Sequence, residues 1–480
     1  MNAPLRRVAI SVLVLFTLLI VNVNVIQVVR SDELRSDGRN TRVLVEEYDS
    51  ERGSMVAGGT EIANSVPTDD ALTYLRQYAN GPVYAPVTGY YSLVYGNSQM
   101  ERAADDVLSG DDARLFTRRL ADLFTGRDPS GGDVVLTLDP TVQETAMDGL
   151  KGVTGAVVAL DPSTGAVLGM ASTPTYDPNQ LSSHEPAAIR EYSDQLDSLA
   201  IDPRLNRAID ARYSPGSIFK VVVSAAALSS GEYTPDTVIP APKELILPGT
   251  STALENFGGS ACDPSGQQSL LEALTISCNT AFAQLGIDLG EDRVREMAEA
   301  FGIDGEGFDI PLTVEGSTLG EIQNDAELGV SSIGQQDVQL TPLQAAMIAS
   351  AVANDGTLMS PYLVDQVRAP DLSVIDQTDP EELSKPVSAD VADQLTEMMT
   401  SVVENGSGRR ARIPGVTVAG KTGTAENAGP DHNWFIGFAP ADDPQIAVAV
   451  FVANGGGTGG DVSAPIARDV MQAYLDGQGG

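Results

Sequence analysis

Basic side chains are scarce in this sequence. Its 480 residues include 29 lysines and arginines against 66 aspartates and glutamates, which gives a formal net charge of −37 at pH 7. A protein that binds nucleic acid needs a basic face to neutralise phosphates. The charge balance therefore argues against nucleic acid as a partner and indicates a strongly solvated, acidic exterior.

Histidine and cysteine, which often bind zinc, are equally rare. The chain has two of each, and their spacing matches no zinc pattern. They are His184, His432, Cys262 and Cys278. We expect neither a metal nor a cofactor, and we interpret His432 as a structural residue at the start of a strand.

Long hydrophobic runs are missing except near the N-terminus, where the 22 residues from 8 to 29 are apolar apart from five polar positions. As a helix this run would span about 33 Å, enough for a hydrocarbon core of about 30 Å. Arg6 and Arg7 precede the run and predict a cytoplasmic tail, residues 1–7, with the remaining chain outside. The alternative is a cleaved signal peptide, but no small-residue cleavage site follows, so we predict a retained single-pass anchor.

Both cysteines fall in the part of the chain that this topology places outside the cytoplasm. Because disulfides form there, we expect a bond between Cys262 and Cys278 that closes a loop of about fifteen residues. Such a loop contributes about 3 kcal/mol in the chain-entropy model. The alternative is two free, buried thiols.

Ser217 and Lys220 are the first candidates for catalysis. A proline and a glycine precede Ser217 and helix formers follow it, so both residues would lie on the first turn of a helix and on one face. A serine hydroxyl is a weak nucleophile, and a buried lysine that has lost its charge can act as its base. The free N–H groups at the helix start would stabilise an oxyanion. A Ser-x-x-Lys pattern alone is weak, since chance gives it about once in a few hundred residues.

Two further motifs follow in the chain and strengthen this signal. The first interrupts an apolar, helix-like stretch from residue 270 to 289, and the second lies on a short predicted strand. They read Ser277-Cys278-Asn279 and Lys421-Thr422-Gly423-Thr424. Ser-x-x-Lys, Ser-Asp-Asn and Lys-Thr-Gly in this order are typical of penicillin-binding proteins and class A β-lactamases, with Cys278 here in the aspartate position.

The rest of the chain predicts an α+β fold. Residues 30–133 would form a small accessory domain, with strand signals at Arg39-Asn40-Thr41-Arg42 and Glu51-Arg52-Gly53 and a further segment at 116–124. Residues 134–480 would form one antiparallel sheet of early and late strands packed with helices. We predict strands at 134–138, 153–160, 166–171, 434–438 and 446–452, and helices at 140–150, 343–353, 389–405 and 464–475.

From Val153 onward the chain resembles the transpeptidase domain of class B penicillin-binding proteins. Besides the three motifs, this likeness rests on Gly155 to Asp161, Asn206-Arg207-Ala208, Gly334-Gln335, Leu340 to Gln344 and Asn433 to Gly437. The anchor and the accessory region agree with it. Residues 84–91 are similar to the penicillin-binding protein A group of actinobacteria, which acts in division.

The resemblance implies a peptidoglycan D,D-transpeptidase that works through an acyl-serine and is inhibited by β-lactams. Ser217 would attack the carbonyl of the penultimate D-alanine of a stem peptide, and Lys220 would accept the hydroxyl proton. Ser277 would relay a proton to the leaving amine. Asn279 would bind Lys220 and the stem-peptide amide, and an amine from a second stem would then take the acyl group.

The third motif would bind the substrate. Lys421 would supply positive charge, while Thr422 and Thr424 would orient the substrate and its terminal carboxylate. Gly423 would leave room for its approach. The backbone N–H groups of Ser217 and Thr424 would form the oxyanion hole.

The implied partners are D-Ala-D-Ala stem peptides, β-lactams, the membrane, divisome proteins and a glycosyltransferase. A D,D-carboxypeptidase and a non-catalytic penicillin sensor or divisome scaffold stay open as alternatives. A class A β-lactamase is disfavoured because no Glu-x-x-Leu-Asn setting lies between the second and third motifs, and a triad hydrolase because no Gly-x-Ser-x-Gly elbow occurs. About one hundred residues between anchor and transpeptidase are too few for an added glycosyltransferase domain.

Overall fold

The computed structural model describes residues 2–26, 48–70, 72–115 and 130–478. Three sequence-based predictions fall outside these ranges, in whole or in part. They are the end of the anchor at 27–29, the strand signal at 39–42 and the segment at 116–124.

The secondary-structure elements are numbered here along the described chain. The helices are α1 Asn2–Asn24, α2 Gly81–Thr88, α3 Gln99–Ala103, α4 Asp105–Ser109, α5 Pro140–Gly149, α6 Pro178–Leu181, α7 Pro186–Asp197, α8 Lys220–Ser229, α9 Leu270–Thr275, α10 Asn279–Leu289, α11 Glu291–Ala300, α12 Asp325–Ser331, α13 Pro342–Ala353, α14 Ala389–Glu404 and α15 Gly459–Gln478. The strands up to residue 269 are β1 Met55–Ala57, β2 Thr60–Pro67, β3 Tyr74–Tyr78, β4 Tyr91–Ser92, β5 Gly96–Asn97, β6 Asp133–Leu136, β7 Thr154–Leu160, β8 Val167–Thr173, β9 Val238–Pro240, β10 Glu244–Ile246, β11 Ala253–Glu255 and β12 Gln267–Ser269. The later strands are β13 Phe308–Asp309, β14 Thr313–Val314, β15 Leu358–Met359, β16 Val364–Arg368, β17 Val374–Gln377, β18 Glu382–Ser384, β19 Ala419–Ala425, β20 His432–Ala439 and β21 Ile446–Ala453.

The N-terminal helix α1 begins before the predicted run and is apolar over most of its length. Its residues 6–24 have a mean hydropathy of 2.0, and none of this window is buried inside the protein. The helix is therefore long and apolar enough to cross a membrane, as the sequence predicts.

A five-stranded antiparallel sheet forms the centre of the larger part, in the order β19-β20-β21-β7-β8. It joins early strands to late ones, as predicted, but the predicted strand at 134–138 is not part of it, because β6 pairs with β1 and β16 in a second sheet. Strand β21 is a run of eight residues, seven of them fully buried, because α13 covers one face of the sheet and α5 and α15 cover the other. Burial on both faces explains why this segment reads as a continuous apolar run instead of alternating.

A second sheet, of six strands, contains most of the accessory strands in the order β17-β16-β6-β1-β2-β3. Strand β6 pairs in parallel with β1 and in antiparallel with β16. This sheet therefore combines strands from both sides of the predicted boundary at residues 133 and 134. Its pairing attaches the accessory region directly to the larger part of the protein.

Candidate active site

The turn that carries Ser217 is fixed by close backbone packing. Residues Gly216–Phe219 form a 3-10 turn that continues into α8, so Ser217 lies at the helix start as predicted. Gly216 has a φ of 56°, and its N–H donates to the carbonyl of Gly334 at 2.9 Å. A Cβ at Gly216 would lie 2.5 Å from the carbonyl oxygen of Thr424. Only glycine therefore lets strand β19 pass this close to the serine turn.

The second motif lies between two helices. Helix α9 ends at Thr275 and α10 begins at Asn279, which confirms the predicted interruption. Ser277 has a φ of 63°, a left-handed conformation that side chains other than glycine rarely adopt. Next to it, Cys262 and Cys278 form a disulfide with a Cα–Cα distance of 5.9 Å.

The third motif lies on β19, the edge strand of the central sheet. Lys421 and Thr422 on this strand are buried. A Cβ at Gly423 would lie 2.7 Å from the carbonyl oxygen of Pro215 and 2.8 Å from Cβ of Trp434. Glycine is therefore needed here for the strand to pack against the serine turn, which is a different role from the predicted one of leaving room for substrate.

Two lysine amines converge on the second motif. Lys220 Nζ donates to Asn279 Oδ1 at 2.7 Å, to the carbonyl of Ser277 at 2.9 Å and to Ser277 Oγ at 3.3 Å. Lys421 Nζ donates to the same Ser277 Oγ at 2.9 Å and to the carbonyl of Thr422 at 2.9 Å. Within the described residues, none of the hydrogen bonds of Lys220 Nζ goes to Ser217. The predicted contact between Lys220 and Asn279 is thus present in this resting arrangement, whereas a hydrogen bond from Lys220 to Ser217 is not.

Both amines are fully buried, and this changes their protonation. Burial lowers the pKa of Lys220 well below 10.5, and the positive charge of Lys421 lowers it further. Burial alone lowers the pKa of Lys421 to about 7. Removing a charged amine from water favours its neutral form, so both lysines lose their charge more readily than exposed lysines do.

The three motifs meet in one cleft of about 1160 Å³. Its lining includes Ser217, Ser277, Asn279, Thr422, Thr424, Glu255, Phe257, Ile276, Gln335, Gln336 and Ser407. Chain segments separated by more than two hundred residues thus contribute hydroxyl and amide groups to a single concave surface, and the two buried amines contact it through Ser277. A nucleophile, a neutral base and hydrogen-bond donors for a carboxylate are the groups that acyl transfer requires.

Several cleft residues escape sequence reasoning. Ser407 Oγ lies 2.6 Å from Thr422 Oγ1, and its backbone N–H donates to the carbonyl of Thr275 at 3.2 Å. The flanking Gly406 and Gly408 indicate a turn after α14, but nothing local shows that this turn reaches the third motif.

The left-handed Gln336, with a φ of 61°, also lines the cleft. It directly follows the Gly334-Gln335 pair that carries part of the resemblance. A non-glycine residue held in this conformation is a signal of function only once the backbone is known.

The surroundings of the site can also be searched for metal ligands. In the described portion of the chain, no group of three or more His, Cys, Asp and Glu side chains could hold a metal ion. His432 Nδ1 accepts a hydrogen bond from the N–H of Asn454 at 3.1 Å, and its ring packs edge-on against Tyr213 and Phe451.

Two family models match the chain. Residues 155–472 match the penicillin binding protein transpeptidase domain. Residues 52–134 match the penicillin binding protein A dimerisation domain. The first match covers well over half of the sequence and contains all three motifs.

Curated relatives and solved structures agree with these matches. The chain is 49% identical, over 99% of both chains, to the peptidoglycan D,D-transpeptidase PbpA of Mycolicibacterium smegmatis, and 47% identical over the full length of both chains to PbpA of Mycobacterium tuberculosis. Two structures of penicillin-binding protein A from M. tuberculosis are also similar. The imipenem acyl-enzyme complex has a TM-score of 0.87 at 47% identity over 90% of this chain and 100% of that one, and the penicillin G acyl-enzyme complex has 0.86 at 47% over 89% and 100%. The chain therefore belongs to the penicillin-binding protein transpeptidase family.

Proposed function

We propose that this protein is a peptidoglycan D,D-transpeptidase that acts through an acyl ester on Ser217. One observation carries the proposal: two buried lysines with lowered pKa values share the hydroxyl of Ser277 in the cleft that Ser217 lines. The names of the similar proteins support the same activity.

Neutral Lys220 is the base for the first step. A neutral amine has two hydrogens and one lone pair, and the carbonyl oxygens of Asn279 and Ser277 can each accept one hydrogen. The lone pair then remains available for a hydroxyl proton. Ser217 Oγ bonds to the carbonyl carbon of the penultimate D-alanine, and its proton passes to Lys220 Nζ.

Ser277 completes the proton transfer to the leaving group. Its Oγ lies within hydrogen-bond distance of both amines, at 3.3 Å from Lys220 Nζ and 2.9 Å from Lys421 Nζ. As the bond between the carbonyl carbon and the terminal D-alanine nitrogen breaks, the proton moves through Ser277 to that nitrogen. Microscopic reversibility then lets the same groups deprotonate the acceptor amine that cleaves the ester.

The edge strand β19 orients the substrate. Thr422 and Thr424 line the cleft, and their hydroxyls would bind the terminal carboxylate, while the protonated form of Lys421, whose pKa is about 7, attracts it. The N–H groups of Ser217 and Thr424 would stabilise the oxyanion, and each such donor typically contributes about 3 kcal/mol.

The test is the intact mass of the full chain in detergent after incubation with benzylpenicillin. We expect one persistent adduct on the wild type and none on Ser217→Ala, with a loss of acylation of more than about 10⁴-fold. Drug consumption without a lasting adduct would show a β-lactamase instead. An unmodified wild type with intact drug would favour the scaffold alternative.

A second measurement separates the penicillin-reactive alternatives. A D-Ala-D-Ala peptide is incubated with the enzyme in the presence and absence of an amine acceptor. We expect a cross-linked product with the acceptor. If the peptide is hydrolysed but not cross-linked, the protein is a carboxypeptidase. If the peptide is not turned over at all, the protein is a sensor.

We also propose that the protein is anchored by residues 8–29 as a single span, with residues 1–7 in the cytoplasm and the accessory and transpeptidase domains, 30–133 and 134–480, outside. The apolar helix α1 and the two arginines before the run support this topology. A protease added to protoplasts with an intact membrane should digest the accessory and transpeptidase domains. Digestion only after lysis would contradict the proposal.

A role in septal wall synthesis, beside divisome proteins and a separate glycosyltransferase, is the finer part of the proposal. It rests on the likeness to penicillin-binding protein A. A fluorescent fusion should accumulate at the division site, and depletion should give long, unseparated cells. Uniform labelling of the envelope with normal division would exclude this role.

A further inference from the structure

An exposed apolar surface forms part of the cleft wall beside the second motif. Phe257 is 70% exposed and Ile276 is 42% exposed, and both line the cleft together with Glu255. Large apolar side chains grouped on a surface commonly mark a binding site. These three residues are called the Glu255 lip below.

The lip is held rigidly against the second motif. Between its members, Asn256 Oδ1 accepts from the N–H of Thr280 in α10 at 3.0 Å, and Asn256 Nδ2 donates to the carbonyl of Ser260 at 3.2 Å. The disulfide between Cys262 and Cys278 ties the following segment to the same motif. The lip therefore keeps a fixed position relative to Asn279.

The charged member of the lip is the carboxylate of Glu255. Across the β10–β11 pair it lies directly opposite Glu244, and like charges in that position repel. Among the described residues, no ion pair or side-chain hydrogen bond engages the Glu255 carboxylate. A Cβ built on Gly259 would lie 3.4 Å from Glu255 Oε2, so the carboxylate lies over the turn that begins at Phe257.

We propose that the Glu255 lip binds an aliphatic side chain that ends in an ammonium group. The methylenes would lie on Phe257 and Ile276, and the ammonium would pair with Glu255. Apolar surface beside an unpaired carboxylate is complementary to this chemistry and to neither an acidic nor a purely apolar side chain.

The occupant is the diamino-acid residue that precedes the penultimate D-alanine of the donor stem peptide. Asn279 is the proposed partner of the amide at that residue, and its Nδ2 donates to the backbone carbonyl of Glu255 at 3.4 Å. A side chain that leaves the peptide there would reach the lip directly. This inference rests on the proposed function, because it names the donor that the same site acylates.

The test compares two donors, Nα-acetyl-L-lysyl-D-alanyl-D-alanine and its norleucine analogue, by the kcat/KM for release of the terminal D-alanine. We expect the wild-type enzyme to prefer the lysyl peptide by about fivefold, as for an exposed ion pair. Glu255→Gln should bring the ratio to about one, and Glu255→Lys should favour a glutamyl peptide for the same reason. Phe257→Ala should reduce kcat/KM for lysyl and norleucyl donors alike, by about tenfold.

Glu244→Gln is the matched control, because it removes a carboxylate from the same hairpin but does not line the cleft, and it should keep the wild-type preference. Acylation by benzylpenicillin verifies that each variant is folded. An unchanged lysyl preference in folded Glu255→Gln, or an equal loss of preference in Glu244→Gln, overturns the inference.

Failure of the proposed function gives a different result. If penicillin acylates the wild type but neither peptide is turned over, the transpeptidase proposal is wrong. The lip is then tested by protection: the lysyl peptide should slow penicillin acylation at about fivefold lower concentration than the norleucyl peptide, again as for an exposed ion pair. Equal protection overturns the inference.

Discussion

Two regions of this protein bury charged side chains, and they treat the charge in opposite ways. In the accessory region, Arg52 Nε lies 2.7 Å from Glu101 Oε2 and Arg76 Nε lies 2.6 Å from Glu101 Oε1. The hydroxyl of Tyr78 donates to the same carboxylate at 3.0 Å. Burial acts to raise the pKa of Glu101, but the charges of Arg76 and Arg52 outweigh it and lower that pKa below 4.5.

The two buried lysines beside the cleft are in a different electrostatic environment. Within the described residues, no carboxylate forms an ion pair with Lys220 or Lys421, and their acceptors are neutral oxygens. Burial therefore lowers the pKa of each lysine. The comparison teaches that a buried charge with a counter-charge stays ionised and holds the fold together, whereas a buried charge without one becomes a reactive neutral base.

Removing the amine of Lys220 should lower activity with little effect on stability. We expect Lys220→Met to slow acylation by benzylpenicillin by about 10³-fold or more, because the nucleophile loses its base. The melting temperature of the variant should stay within a few degrees of the wild-type value. The variant no longer has to bury an amine, and this gain offsets the cost of leaving the oxygen acceptors of that amine without a hydrogen bond. Exposed Lys385→Met is the control and should retain full activity. A large fall in melting temperature would mean that Lys220 is chiefly structural.

Removing the counter-charge in the accessory region should have the reverse effect. Glu101→Gln removes the carboxylate that pairs with buried Arg76 and leaves Arg52 only its ion pair with the partly exposed Asp105, and we expect a loss of about 3–5 kcal/mol in the free energy of unfolding. Acylation by the remaining folded protein should change little. Calorimetry and penicillin labelling measure the two quantities, with exposed Asp106→Asn as the control. Equal melting temperatures for Glu101→Gln and wild type would contradict a stabilising role for the buried Glu101 carboxylate.

The pH dependence should differ between the regions. Neutral Lys220 is the base, so acylation should fall as the pH drops through the lowered pKa of Lys220, because the protonated amine cannot accept the proton of Ser217. Stopped-flow acylation at several pH values measures this fall, and a flat profile would contradict it.

Stability is linked to the same groups with a definite sign. Between pH 7 and 9.5 the unfolded chain holds more protons on its lysines than the folded one, so wild type should gain stability relative to Lys421→Met as the pH rises. Glu101 has a lowered pKa, so its contribution is present above pH 4.5 and is lost as the pH falls. Melting temperatures of wild type, Lys421→Met and Glu101→Gln across pH test both signs.

A smaller effect should come from Ser407. Its hydrogen bond to Thr422 Oγ1 at 2.6 Å fixes the direction of a hydroxyl that would bind the substrate carboxylate. Ser407→Ala should reduce kcat/KM for a carboxylate-bearing β-lactam by about threefold, as expected when one neutral hydrogen bond is lost. Ser407→Thr keeps the hydroxyl and should restore the rate. The methyl ester of the same drug should discriminate less between wild type and Ser407→Ala, and an equal loss for acid and ester would exclude this positioning role.

Local sequence predicts the elements that carry the site. The helix after Ser217, the interruption at Ser277 and the strand around Lys421 all follow from breakers and hydrophobic runs, and the structure has each of them. The last helix begins at Gly459 instead of the predicted 464. Its glycine-rich start has low intrinsic helix propensity, but a Cβ at Gly459 would lie 2.2 Å from the carbonyl oxygen of Gly423, so packing against β19 requires it.

By itself the sequence determined that the protein has an apolar N-terminal helix, an α+β body and three motifs in the order of a penicillin-binding transpeptidase. These properties depend on hydrophobic periodicity and on residues close together in the chain. The tertiary structure alone decided that Lys220 and Lys421 share Ser277 Oγ, that Ser407 reaches Thr422, and that Glu255 has no ion-pair partner within the described part of the chain. Each depends on residues far apart in sequence, because burial and charge balance are properties of the packed chain.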